Sequence, residues 1–545
     1  VKRISIFCGA LIASAFLAGV VPTRETRAAD NALGLVPTPK QLNVTGGEMP
    51  LTAASRIVAT DEKLKPLAKI LSDEILLATR LRLEPAEGEA RPGDIVLKIN
   101  PQLRADADIF TVQNREVKKV RDYAHTINVT DKAVVEGWDY RACCEGTATV
   151  LQALKVNGAA VSMPKMVVKD WPHADYTCYM IDCARQGLPL MGLRTCIDQM
   201  RYYKTRYLHL HASDDSAFYF PLKSYPQAGS HNGAINNGDA FKSWDPEELK
   251  KVVAYADARG VTLVPELETP GHCTCLQEDL KVGDKYLLGN PGLRMFDLAN
   301  DDIYPVLEKI INDMCDIFQS SPYFHIGGDE IQWDWFKGQP HVKEYLKKYG
   351  MREIDKGGTD DLGKQHVLRL NEFIKKRGKK TIYWGGYQGP PQDPAMTDCI
   401  VYSWYAGARE AQDRGFTTIS VPWEIRGDRP RWTMYSSNGD MLKRTDRVLG
   451  ACRVAWEQSA ESYVNSDCYS QDRAEGNWSP DAVCTAEEEA KGFPKPVPGY
   501  ADQMRERMKN ADARLAKICK TVAIKCDGKA EPWGYSGKMN ISMTG

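Results

Sequence analysis

The sequence predicts an α/β fold, a (β/α)8 TIM-type barrel preceded by a small α+β domain, and three observations carry it. From about residue 170 onward, strand-like and helical patterns alternate, with eight strand-like runs in the rhythm of such a barrel. No Gly-rich phosphate turn follows the first run, which argues against a doubly wound open sheet. Acidic and imidazole side chains gather just beyond the C-terminal ends of successive runs, where barrel chemistry belongs.

The elements follow in chain order. Residues 1–29 stand apart: Val1-Lys2-Arg3, an apolar stretch from Ile4 to Val21, then Ala28-Ala29 before Asp30. These are the parts of a secretory signal peptide, so cleavage is expected near Ala29 and export to the periplasm or the medium. Residues 30–168 mix short alternating runs such as Asp94–Ile99 and Tyr123–Val129 with helical spacing over Leu64–Leu77 and Cys144–Leu154. That mixture reads as an α+β domain without a catalytic constellation.

Residues 169–460 hold the barrel pattern. Its strand-like runs are Tyr176–Cys183, Tyr207–Ala212, Val261–Leu267, Tyr323–Gly328, Thr381–Trp384, Ile400–Trp404, Phe416–Val421 and Val448–Trp456. Helical patterns between them include Gly192–Tyr203, Pro246–Arg259, Ile303–Gln319 and Leu362–Lys376. In residues 461–545 a polar loop or insertion leads into a final helix expected over Tyr500–Val522. Its stripe of Met504, Met508, Ala511, Leu515 and Ile518 is expected to pack on the barrel exterior.

Composition narrows the partners. Hydrophobic residues make up 43% of the 545 and charged residues 26%, which excludes wholesale disorder. Lys+Arg number 71 against 72 Asp+Glu, leaving no electrostatic footprint for nucleic acid. No second long uncharged apolar run exists, so the chain is not expected to cross a membrane once its leader is removed. Oligomeric state is left open. Of 15 cysteines, Cys468 with Cys484 and Cys519 with Cys526 are the nearest candidates for pairing, while Cys178, Cys183 and Cys196 read equally as buried thiols. Cys273-Thr274-Cys275 lacks the spacing of a structural zinc site.

Three strand ends carry candidate chemistry. His325-Ile326-Gly327-Gly328 runs into Asp329-Glu330, adjacent acids after two glycines that are costly to place in a core. An acid held partly desolvated there is expected to have its pKa raised toward use as a proton donor. Glu266 and Glu268 share a face of an extended segment, with His272 beyond a Pro-Gly turn. His209 and His211 share another face, followed by Asp214 and Asp215. Trp384, Trp404 and Trp456 end three strands, with Tyr435 between the last two. Aromatic rings beside carboxylates point to a carbohydrate site. As sugar-pocket walls, Trp384 and Trp404 should tolerate truncation without global unfolding. A metal site built from His209, His211, His272, His325 and Asp214 is a weaker alternative, and no metal or cofactor is called for.

These residues resemble a known family. His325-Ile326-Gly327-Gly328-Asp329-Glu330 is similar to the His-x-Gly-Gly-Asp-Glu signature of the family 20 glycoside hydrolases, the β-N-acetylhexosaminidases. Supporting matches follow in order: Met180–Arg185, Leu208–His211 with Asp214-Asp215, and Pro265–His272. The resemblance implies Glu330 as general acid/base, Asp329 as the group orienting a substrate 2-acetamido, and Tyr435 as a hydrogen-bond donor to it. It implies Trp384, Trp404 and Trp456 as walls of the sugar pocket. His272, Glu268, Asp214, His325 and Glu457 are implied as pocket or supporting residues. The expected activity is hydrolysis of terminal β-linked N-acetylhexosamine, substrate-assisted and retaining, with no protein nucleophile. Departures fall on hydroxyl-binding positions: Thr177 stands where the family has Arg, Glu268 where it has Asp, Phe218 where it commonly has Trp, and Gly385-Gly386 where it has Asp-Glu. They leave a carbohydrate-binding barrel with weakened catalysis as the alternative.

Overall fold

The computed structural model describes residues 31–185, 187–232, 243–280, 287–290, 293–386, 388–403, 408–421, 436–437, 440–441, 446–456, 500–518, 521–526, 529–531, 534–536 and 539–544. Residues 1–30, over which a leader is expected, and Trp404, Tyr435, Glu457, Cys468, Cys484 and Cys519 lie outside the described residues.

Eight parallel strands form the barrel: Tyr176–Asp182, Tyr207–His211, Thr262–Pro265, Tyr323–His325, Lys380–Gly385, Ile400–Ser403, Thr417–Ser420 and Val448–Ala455. The last pairs with the first, and a parallel bridge between Glu266 and His325 joins the third to the fourth, closing the ring. Every predicted strand is present. Helices Leu190–Tyr202, Pro246–Asp257, Ile303–Ile317 and Gly358–Lys376 fall where their periodicity places them. Pro246–Asp257 starts where Asp245 accepts from the amides of Glu247 and Glu248, with Pro at its first turn. Thr274–Leu280, Pro340–Lys348 and Ala408–Asp413 are further helices too short to announce themselves by periodicity.

The preceding unit is a mixed sheet, ordered Gln41–Leu51, Ala160–Asp170, His125–Val129, Ala133–Gly137, Ile95–Ile99, Arg56–Ala59 and Glu84–Ala86, with Lys155–Asn157 paired off the second strand. Helices Lys65–Thr79 and Tyr140–Ala153 pack on it. Its hairpin Ile109–Gln113/Glu116–Val120 sets Val112 among Tyr176, Tyr207, Tyr323 and Cys452, plugging the N-terminal end of the barrel. Buried ion pairs rivet the units together. Arg201 grips Glu74 with two bonds of 2.7 and 2.8 Å, and Lys204 donates to Asp170 at 2.8 Å. The open end of the barrel is thereby the C-terminal one.

The C-terminal helix differs from its expectation. It spans Tyr500–Leu515, closes in a turn at Ile518, and the β-branched run Thr521–Cys526 is a strand paired with Met539–Thr544. Ala511 and Leu515 are buried as the stripe requires. The helix also bonds to the segment leading into the small unit: Arg507 donates to the Thr38 hydroxyl at 2.6 Å and Arg514 to the Gly34 carbonyl. Among the described residues ten cysteines, Cys178, Cys183, Cys196, Cys273 and Cys275 included, are buried free thiols. No helix among the described residues is long and apolar enough to cross a membrane.

Candidate functional site

The site is assembled where the second, third and fourth barrel strands end. His325 closes its strand, and Gly327 and Gly328 turn the chain with φ of 67° and 108°. At Gly327 a Cβ would stand 2.0 Å from Glu268 Oε2, so the turn requires glycine. Glu330 follows at φ 47°, and His272, beyond the Pro-Gly turn, sits at φ 46°. Non-glycine residues held in this region mark a backbone shaped for a purpose other than stability.

Asp329 is 5% exposed, and its Oδ1 is buried without a hydrogen-bond partner. Burial, opposed by the charge of His272, pushes its pKa up to about 6. The Glu330 side chain is 44% exposed, and its Oε2 lies 3.3 Å from His272 Nε2. That contact holds its carboxyl below the usual range. The expectation that the proton donor would carry the raised pKa is therefore corrected: the raised acid is Asp329, because Asp329 is the one taken out of water. Burial alone would discharge His272, but Asp214 and Asp215, at 3.5 and 3.4 Å from Nδ1, and Glu330 keep it protonated well above its ordinary range.

Further buried charges lie beneath. Glu266, fully buried, meets His211 Nδ1 at 2.6 Å, His209 Nε2 at 3.0 Å and His325 Nδ1 at 2.9 Å. Those imidazoles outweigh its desolvation and hold it ionised. His211 in turn is raised to about 10, burial being overcome by Glu266 and Asp214. Glu268 is driven the other way, by burial and by the charges of Asp329 and Glu266, and is the neutral acid of the pair. Its Oε2 accepts from the Gly328 amide at 3.3 Å, bracing the turn that carries Asp329. One added methylene relative to Asp lets it reach.

The predicted residues divide accordingly. Glu330, Asp329, His272, Asp214, Glu268 and His325 come together, while Trp404, Tyr435 and Glu457 fall outside the described residues. Trp456 lies at the same end, its ring 5.0 Å from that of His211. Trp384 corrects its assignment as an open wall: it is 0% exposed, and its indole N–H is shared between Glu266 Oε1 at 2.7 Å and Glu268 Oε1 at 3.2 Å. It is a prop beneath the acids. Trp384→Ala is therefore expected to cost about 3–5 kcal/mol in a urea titration, rather than to leave stability untouched. Thr177 accepts from the Arg206 amide at 3.1 Å, at the start of its strand and away from the acids.

Arg185 and Glu266 are what sequence reasoning left unassigned. Asp182-x-x-Arg185 is a spacing that pairs side chains across a turn, and Glu266 carried a signal in its position between the two His-bearing strands. Among the described residues three side-chain sets bring potential ligand atoms within 4.8 Å of one another: His209-Glu266-His325, His211-Glu266-Glu268 and Asp214-Asp215-His272. In the second and third, protonated His211 and His272 already face carboxylate oxygens at ion-pair distance.

A model of the glycosyl hydrolase family 20 catalytic domain matches residues 175–462, and one of the family's domain 2 matches residues 32–171. A beta-hexosaminidase of Vibrio furnissii is 27% identical over 430 residues, 74% of this chain and 65% of that protein. Another from Porphyromonas gingivalis is 23% identical over 416 residues, 73% of this chain and 50% of that protein. The matches thus span between half and two thirds of those relatives' lengths. Among solved structures, an exo beta-N-acetylglucosaminidase of Vibrio harveyi in complex with N-acetylglucosamine superposes with a TM-score of 0.68 at 18% identity, covering 91% of this chain and 79% of that one. A beta-N-acetylhexosaminidase of Bacteroides fragilis gives 0.68 at 16%, covering 88% and 96%.

Proposed function

The chain belongs to glycosyl hydrolase family 20, and from that premise we propose that it removes terminal β-linked N-acetylhexosamine from glycans with retention, using the substrate's 2-acetamido group as nucleophile. The observation that carries this reading is the buried, unpartnered Oδ1 of Asp329 beside the half-exposed Glu330. A carboxylate oxygen taken out of water without a donor is a standing cost. An amide N–H of a bound sugar is the donor it lacks.

In the first step the acetamido oxygen attacks the anomeric carbon while Glu330 protonates the departing oxygen. The proton comes from the His272–Glu330 pair, which carries one between its members at neutral pH. Asp329 accepts the amide N–H and offsets the positive charge developing on the ring that forms. Water, deprotonated by Glu330, then opens that ring with net retention. Adjacent residues on one turn do not flank a sugar at the ~5 Å carboxyl separation of a two-carboxylate retaining enzyme, which favours a nucleophile supplied by the substrate. We also propose export, on the leader-like composition of residues 1–29; N-terminal sequencing of secreted protein should then return a start near Asp30, and a start at Val1 would overturn it. Turnover of aryl N-acetyl-β-hexosaminides by the purified protein tests the reading, and inertness toward all of them would defeat it.

A pH prediction follows from Asp329. It acts as an anion, so kcat/KM should fall as the pH drops through about 6, and the Asp329→Asn variant should lose that limb. Because its pKa is raised on folding, its contribution to stability is present below its ordinary range and is lost as pH rises through about 6.

A further inference from the structure

Glu330 sits at φ 47°, a conformation that a non-glycine residue keeps only where its surroundings over-determine it. The segment after the fifth barrel strand supplies that constraint. Its Gln388, itself at φ 50°, accepts two hydrogen bonds on its backbone carbonyl from the stretch that follows the acid pair. One comes from the amide of Ile331, the residue after Glu330, at 3.3 Å, and the other from the indole Nε1 of Trp333 at 3.0 Å. Both lone pairs of that oxygen are thereby used. The Trp333 ring is held in turn by the helix Gly358–Lys376. At Gly363, buried within that helix, a Cβ would stand 3.0 Å from both Trp333 Cη2 and Pro391 Cδ. A glycine inside a helix costs stability relative to alanine, and here its bare Cα is what lets the indole and the loop close on the helix.

We propose that Trp333 is a positioning residue for Glu330: its indole N–H pins the Gln388 carbonyl against the Ile331 amide and so fixes the direction from which the Glu330 carboxyl meets the departing oxygen. A proton donor must come within about 2.6–3.2 Å of the atom it protonates, and a misplacement of about 1 Å can cost about a hundredfold. Asp329 is held from the other side, where Glu268 accepts from the Gly328 amide. Loosening Trp333 therefore disturbs the acid more than the partner of the acetamido group. The inference rests on the family 20 reading of Glu330 as acid.

Kinetics on aryl N-acetyl-β-glucosaminides of graded leaving-group pKa test it. Trp333→Phe keeps a ring at this half-buried position and deletes the N–H. It should lower kcat about tenfold on the least acidic leaving groups and leave KM within about twofold. The loss should shrink as the leaving group becomes more acidic and needs less protonation. Gly363→Ala leaves the N–H in place but forces Trp333 or Pro391 to give way by a few tenths of an ångström. It should show the same graded loss, reaching about fivefold, although alanine raises the helix propensity. A merely architectural Trp333 would lower Tm and scale every leaving group alike, a result that overturns the proposal. A rise in KM at constant kcat, the mark of a ring that only binds the leaving group, overturns it as well. An active wild type with a graded loss in neither variant overturns the role of Trp333 alone. A wild type inert on every N-acetylhexosaminide overturns the reading on which it rests.

Discussion

Glu330→Gln is expected to fold as the wild type does and to lose about 10²–10⁴ in kcat on glycans whose leaving group is a sugar alcohol. The side chain is half exposed at the mouth, so substitution by an isosteric amide leaves the barrel intact. What is lost is the proton. An alkoxide leaving group needs it early, whereas an activated nitrophenolate needs little. The deficit should therefore shrink steeply as the leaving group becomes more acidic, and a plot of log kcat/KM against leaving-group pKa should be steeper for the variant than for the wild type. A uniform loss across the leaving-group series would show that Glu330 only binds. Because Glu330 is also the base of the second step, exogenous azide should restore part of the turnover on activated substrates by replacing the deprotonated water.

The barrel was legible because its strands are buried on both faces and read as apolar runs of four to nine residues, which neither turns nor surface helices imitate. All eight of those runs are strands. The acid pair was legible for the opposite reason: Asp329-Glu330 after two glycines makes sense only where a chain turns at a mouth. What composition and spacing do not encode is the division of charge among converging side chains. Asp329 and Glu330 are adjacent acids whose spacing does not say which one is taken out of water, yet one is buried and the other half exposed, and their pKa values part accordingly. Trp384 likewise ends its strand as an open pocket wall would, and only the inward reach of Glu266 and Glu268 shows that its N–H is spent below. The strand after the C-terminal helix was hidden by an apolar stripe that continues at helical spacing past Leu515 to Ile518.

The largest expected effect belongs to the substrate rather than to the protein. If the acetamido oxygen is the nucleophile, then replacing the 2-acetamido group by a 2-hydroxyl removes the attacking atom, and no side chain stands ready to replace it. Intramolecular attack in a held geometry is worth effective molarities of about 10⁵–10⁸ M, so matched 2-hydroxy β-glycosides should be cleaved at least about 10⁵-fold more slowly, essentially not at all. A specificity handle alone would cost far less, since one lost hydrogen bond to a charged group is worth about 1.5–3 kcal/mol, or some tenfold to a hundredfold. The two accounts are thus separated by three orders of magnitude. Asp329→Asn should show the protein's side of the same step. It keeps an acceptor at Oδ1 but removes the charge that offsets the forming cation, so it should lower kcat about 10²–10³ for every leaving group alike, unlike Glu330→Gln. A thiazoline mimic of the cyclised intermediate should inhibit competitively and bind the Asp329→Asn variant more weakly than the wild type, because its ring nitrogen meets the same oxygen. Trapping a glycosyl ester on any carboxylate of the protein during turnover would overturn this mechanism, since substrate attack leaves the enzyme unmodified throughout.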